Sequence, residues 1–159
     1  MSDRGDKYAK EVDTVFAEIG ATLAQVGDDQ WQAVAPADGR QINVLLDHIV
    51  RSQLSLAQLL ESYAAGGSFP PLTGHDIEQG NQQHMKDATG ISRGEVQATF
   101  DQGRAACRTL LPTLTDEVLD RAEYFGPFGG EVTPTIFIEV LLIGHAREHL
   151  GSVQAALAA

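Results

Sequence analysis

The stretch Ile143-Gly144-His145-Ala146-Arg147-Glu148-His149-Leu150-Gly151 decides how this chain folds. His145 and His149 are four residues apart, so on a helix they share a face, about 5 to 6 Å apart at Cβ, and both rings reach one metal ion. Ile138, Leu141, Leu142, Ser152 and Ala156 fall on the same broad face, which turns the two imidazoles toward the core of a helix ending near Leu157. Thr133-Pro134 opens that helix, with a capping hydroxyl followed by a proline at the first position, where the missing amide costs nothing. An inward imidazole without a partner carries a desolvation cost of about 1 to 3 kcal/mol. The pair therefore requires a further ligand, delivered by a helix that faces it.

Other periodic segments supply the facing helices. Val12, Val15, Phe16, Ile19, Leu23 and Val26 recur at three- and four-residue spacing and predict a first helix from about Asp6 to Val26, ended by Gly27-Asp28-Asp29. Trp31 to Arg40 reads as a connecting loop whose tryptophan folds back onto the bundle. Ile42, Leu45, Leu46, Ile49, Leu56, Leu59 and Leu60 mark the apolar side of a second long helix, stopped by Gly66-Gly67-Ser68-Phe69-Pro70-Pro71. His48 lies on or beside that inward stripe, and Ser52 and Ser55 nearby leave room for a ligand.

A third segment, His75 to Ala88, is more polar, and its inward stripe would be Ile77, Asn81, His84, Met85 and Ala88, which suggests a cavity. Ser92-Arg93-Gly94-Glu95 matches a capping box, and the helix it opens carries Val96, Phe100, Cys107, Leu110, Leu111 and Leu114 inward. Thr115 to Asp120 reads as a short turn of helix and Phe125 to Gly130 as a loop. No segment alternates with a period of two over a useful length. The expectation is a single domain over residues 1–159, all-α, built as a four-helix bundle with short additional helices.

Composition removes whole classes of function. A net charge of -11 with only 11 Lys and Arg, all scattered, excludes a nucleic-acid face and disfavours anionic membranes. The opening Met1-Ser2-Asp3-Arg4-Gly5-Asp6-Lys7 lacks the apolar core of a signal peptide, so a cytoplasmic location is expected. The lone Cys107 rules out an internal disulfide and a cysteine-rich zinc site.

Two stretches, Val44-Leu45-Leu46-Asp47-His48-Ile49 and Gly144-His145-Ala146-Arg147-Glu148-His149-Leu150-Gly151, resemble the metal-binding stretches of the DinB/YfiT-like superfamily. These are four-helix-bundle metalloenzymes related to mycothiol-dependent maleylpyruvate isomerases, and the likeness runs through the Asn81 to Phe100 tract and the Pro127-Phe128-Gly129-Gly130 loop. The resemblance implies His48, His145 and His149 as metal ligands, zinc or nickel as the metal, a homodimer, and a thiol-dependent transferase acting on a small-molecule electrophile. It also makes Asn81 a candidate for the pocket wall, beside His84. The isomerase reaction itself is not expected, because the chain has no room for the extra C-terminal domain of that branch.

The residues alone leave other readings open. The same site could carry water for metal-assisted hydrolysis, or the bundle could be a non-catalytic small-molecule-binding or stress protein. In the plainest case the histidines bond only to one another or to water. His75 reads as a surface residue and Cys107 as a small core residue. Glu148 and Arg147 point away from the ligand face, toward solvent or a dimer contact. Gly144 and Gly151 share a face and would permit close approach of another helix. No general base is assignable.

Overall fold

A hydroxyl decides where the first helix begins. In the computed structural model, which describes residues 2–159, Ser2 Oγ accepts from the Gly5 amide at 3.1 Å and donates to the Leu114 carbonyl at 3.0 Å. Helix α1 therefore spans Asp3–Gln25, one turn earlier than the apolar stripe predicts, because the cap lies ahead of the first inward residue. Its Tyr8, Val12, Val15, Phe16, Ile19 and Leu23 are buried.

Helix α2 spans Ile42–Ala64, and its first half, from Ile42 to Val50, is buried all round. Buried sides facing every direction mark this as the central helix of the bundle. It packs most extensively on α4, Arg93–Leu110, which starts at the expected Ser92/Glu95 capping box. Short 3-10 and α-helical turns follow, at Leu111–Thr113 and then α5, Asp116–Asp120.

The chain closes with a long helix of mixed pitch. Pro134–Phe137 (α6) is α-helical, Ile138–His145 is π-helical, and Ala146–Ala158 (α7) is α-helical again. Thr133 caps it through the Ile136 amide, as the sequence predicts. Two side chains hold the π segment. Buried Gln53 donates its amide to the Leu142 carbonyl at 2.7 Å, and the Tyr8 hydroxyl donates to Glu139 Oε1 at 2.6 Å. Together α1, α2, α4 and the last helix form the all-α bundle.

Two elements differ from expectation. The 123–132 segment is a small antiparallel hairpin, β1 (Glu123–Phe125) with β2 (Gly130–Val132), pairing Glu123 with Val132 and Phe125 with Gly130. Three-residue strands are too short for alternation to register in the sequence. At its tip Gly126 lies so close to the 72–73 backbone that an added Cβ would stand 1.8 Å from the Leu72 carbonyl oxygen. Helix α3, Gly74–Asp87, is the second difference: it forms, but outside the bundle, with none of its residues buried. Ile77 and Met85 are 41% and 43% exposed and Asn81 is exposed too, so of the stripe expected to face a cavity only His84 and Ala88 turn inward. A Thr73/Asp76 capping box, with aspartate in the third position, starts it.

An aromatic stack closes the end of the bundle remote from His48. Tyr63 stacks on Phe69 at 4.5 Å, and Phe69 on Phe137 at 5.4 Å. Tyr63 is fifteen residues beyond His48, about 22 Å along the helix. At the other end the 26–41 connection folds back as expected. Trp31 donates its indole N–H to the Ile91 carbonyl at 3.0 Å, and Arg93 lies over its ring while bonding the Leu23 and Val26 carbonyls at the end of α1. No helix among the described residues is long and apolar enough to cross a membrane.

Candidate metal centre

His48 comes from the buried half of α2, and His145 and His149 from the junction of the π segment with α7. His145 Nε2 lies 3.3 Å from His48 Nε2 and 3.0 Å from His149 Nε2. The potential ligand atoms of the three all fall within 4.8 Å of one another, the one such group of three or more among the described residues. Nitrogens held at 2.0 to 2.1 Å around a tetrahedral ion stand about 3.3 Å apart, so the three residues fit a divalent metal of that size. The same Nε2 atom of His145 takes part in both short contacts.

Burial sets their protonation. His48 is drawn down to about 3 and His145 to about 4, in both cases chiefly because burial penalises the charged ring, with Arg40 and neighbouring imidazoles adding to it. His149 is lowered by burial and Arg40, against an opposing pull from Asp38. Neutral rings at pH 7 are what ligation requires.

The remaining candidates separate. His84 is half-buried at the C-terminal end of α3, its ring 5.9 Å from that of His48, and its Nε2 is 2.6 Å from Asp47 Oδ2. Asp47 is fully buried and also accepts from Arg51 Nε at 2.7 Å. His84, Arg51, Gln83, Ala88, Ile91 and Glu95 line a groove of about 610 Å³. Asn81 is exposed and does not line that groove, which α3 meets through Gly80, Gln83 and His84. His75 is exposed, as read.

Arg147 pairs across the bundle with Glu18 of α1 at 2.9 Å. Gly144 and Gly151 are both exposed, and nothing lies within 4 Å of a Cβ built on Gly151, so no helix of this chain uses that face for close packing. Two residues at the site were not singled out in the sequence. Asp38 and Arg40, in the 26–41 connection, both reach His149 Nδ1, at 3.3 Å each. Their signal was available only as a charged pair flanking a glycine, a common turn pattern.

Cys107 is buried in the core, and burial pushes its thiol up to about 12. It is therefore expected to resist alkylation in the native state at pH 8 and to react at the rate of a free thiol only in denaturant. Mass-spectrometric quantification of a maleimide adduct checks this; rapid native labelling would show an accessible thiolate instead.

The fold and site together define the class, an all-α bundle in which three histidines from two helices come close enough that they could hold a metal ion. Within that class the chain belongs to the DinB superfamily, whose family model matches residues 9–153. A crystal structure of an uncharacterised protein from Clostridium difficile 630 superposes with a TM-score of 0.74, covering 97% of this chain and 95% of that one, at 12% sequence identity. That likeness is one of fold. A search of curated proteins finds no significant match.

Proposed function

We propose that the protein is a divalent-metal-dependent enzyme that joins a low-molecular-weight thiol to a small electrophile, with His48, His145 and His149 as the metal ligands. The observation that carries this reading is the approach of three Nε2 atoms at 3.0 and 3.3 Å from two helices of the bundle. Three protein nitrogens leave a four-coordinate ion one position for an exogenous ligand. When bound there, zinc or nickel supplies the Lewis acidity that lowers the pKa of an incoming thiol.

The chain's own residues provide the rest. Three neutral imidazoles present lone pairs and leave the charge of the ion uncompensated, which favours an anionic sulfur in the open position. Tight packing around α2 holds His48 in place. Cys107 lies in the apolar core with a raised pKa, so the reacting thiol is supplied from solution. Choice of a thiol over water rests on the superfamily resemblance. A cytoplasmic homodimer belongs to the same proposal, and sedimentation equilibrium tests its oligomeric part.

The experiment measures loss of free thiol and formation of thioether when zinc- or nickel-loaded protein is incubated with cysteine or glutathione and an activated haloarene. Conjugation that depends on the metal supports the proposal. Electrophile consumed equally without thiol, with halide released and a hydroxyl product formed, would assign hydrolysis, and bound metal without turnover would leave a binding protein.

A further inference from the structure

The 35–40 turn is built to place two charges beside one imidazole. Ala35, fully buried, anchors it: its amide donates to the Arg40 carbonyl at 2.8 Å, and its carbonyl accepts from the amides of Asp38 and Gly39 at 3.1 and 2.7 Å. Gly39 has φ of +89°, a left-handed conformation that favours glycine and turns the backbone between the two charged residues. Arg40 then forks onto the Asp38 carboxylate, Nε to Oδ1 at 2.5 Å and Nη2 to Oδ2 at 2.8 Å. The side chains of Asp38 and Arg40 are only 11% and 16% exposed, so this is a sealed pair rather than a solvated one.

Arg40 Nη2 lies in hydrogen-bonding geometry with His149 Nδ1 at 3.3 Å, Asp38 Oδ2 makes an ion-pair contact with the same nitrogen at 3.3 Å, and the two ask opposite things of the ring. A hydrogen bond from Arg40 needs a lone pair on Nδ1 and so puts the ring proton on Nε2, between His149 and His145. A hydrogen bond to Asp38 needs the proton on Nδ1 and frees the Nε2 lone pair. The carboxylate is the stronger claimant, because it is a charged acceptor and the guanidinium is already committed to it through two bonds.

We infer that Asp38 is a positioning residue for the three-histidine site: it accepts the Nδ1–H of His149 and so aims the His149 Nε2 lone pair at the point shared with His48 and His145. Arg40 acts on Asp38, fixing the rotation of the carboxylate, and its own contact with Nδ1 gives way when the ring proton sits on that nitrogen. The inference rests on the metal reading above and adds to it a residue from a different part of the chain, more than a hundred positions before the histidine that it orients. Partners of this kind fix the tautomer of a ligating imidazole and raise its basicity.

The test compares wild type, Asp38→Ala and Asp38→Asn by zinc affinity, measured in competition with a chromophoric chelator, and by the nitrogen shifts of His149 in the metal-free proteins. Unfolding midpoints confirm that each variant is folded, and Asp38→Asn, which keeps an oxygen acceptor, carries the test if Asp38→Ala does not fold. Expected are an Nδ1–H tautomer in wild type that is lost in Asp38→Ala, affinity weaker by about 10- to 100-fold in that variant, and substantial recovery in Asp38→Asn. A structural role alone would leave the tautomer unchanged. An Nε2–H tautomer in wild type, or equal zinc affinity in wild type and Asp38→Ala, overturns the inference and leaves the metal site standing. Failure of the wild type itself to bind zinc overturns the metal reading and the inference with it.

Discussion

His145→Ala is expected to lower bound zinc or nickel from about one equivalent to none in protein purified without a tag. His145 is the residue whose Nε2 lies within 3.3 Å of both other rings, so its loss leaves two nitrogens that have no common short contact. Two imidazoles alone make a poor site against water and buffer. The fold should survive, because His145, at the end of the π segment, is half-buried and takes no part in the aromatic stack at the other end of the bundle. Elemental analysis of wild type and variant, with far-ultraviolet circular dichroism as the control on folding, makes the measurement. Metal retained at full stoichiometry in a folded His145→Ala protein would place the ion elsewhere.

Acid should destabilise the metal-free protein before its salt-bridged and capping carboxylates titrate. The histidines in the unfolded chain take up protons near 6.5, whereas His48 and His145 in the fold resist charging down to about 3 and about 4. Between those limits the unfolded state binds more protons, so stability is complete above pH 6.5 and falls as the pH drops toward 4. With His145 only half-buried and the two rings coupled to each other, the expected loss between pH 7 and pH 4.5 is roughly 3 to 5 kcal/mol, a large share of the stability of an ordinary domain.

The salt-bridged or capped carboxylates, among them Asp13, Asp38 and Glu95, have lowered pKa values and contribute their own loss only at still lower pH. Urea titrations at several pH values, made with a chelator present, measure the slope. His48→Gln should flatten it. A stability that is level from pH 7 to pH 4.5 would mean that the rings charge freely in the fold and are not desolvated as described.

Much of this was legible in the sequence because it depends on local rules. The apolar spacing in α1, α2 and α4, the Ser92/Glu95 box and the Thr133-Pro134 start all act within a few residues. The i,i+4 histidine pair is of the same kind, and a third histidine on an inward stripe made their meeting a reasonable expectation. What escaped depends on distant partners. Asp38 and Arg40 sit in a turn whose importance comes from where His149 lies in space, and no periodicity links them.

Helix α3 shows the converse error. Its capping box makes it a helix, but whether its Ile77 and Asn81 face a cavity or solvent depends on how it docks, and that is set by the 72–73 approach to Gly126 and by the Asp47–His84 contact rather than by its own pattern. The hairpin was hidden for want of length. The π segment was hidden because an apolar run such as Ile136 to Ile143 suits either pitch.

That change of pitch lets a single helix satisfy two unrelated azimuths. Over Ile138–His145 the wider turn takes up about one residue relative to an α-helix, an offset of roughly 100°. Upstream, Phe137 is aimed at the aromatic stack; downstream, His145 and His149 are aimed at His48. An unbroken α-helix could meet one of these directions but would swing the other out of line. The segment works as a vernier between the core and the chemistry, so each half of the helix can change its side chains without dragging the other half's register along with it.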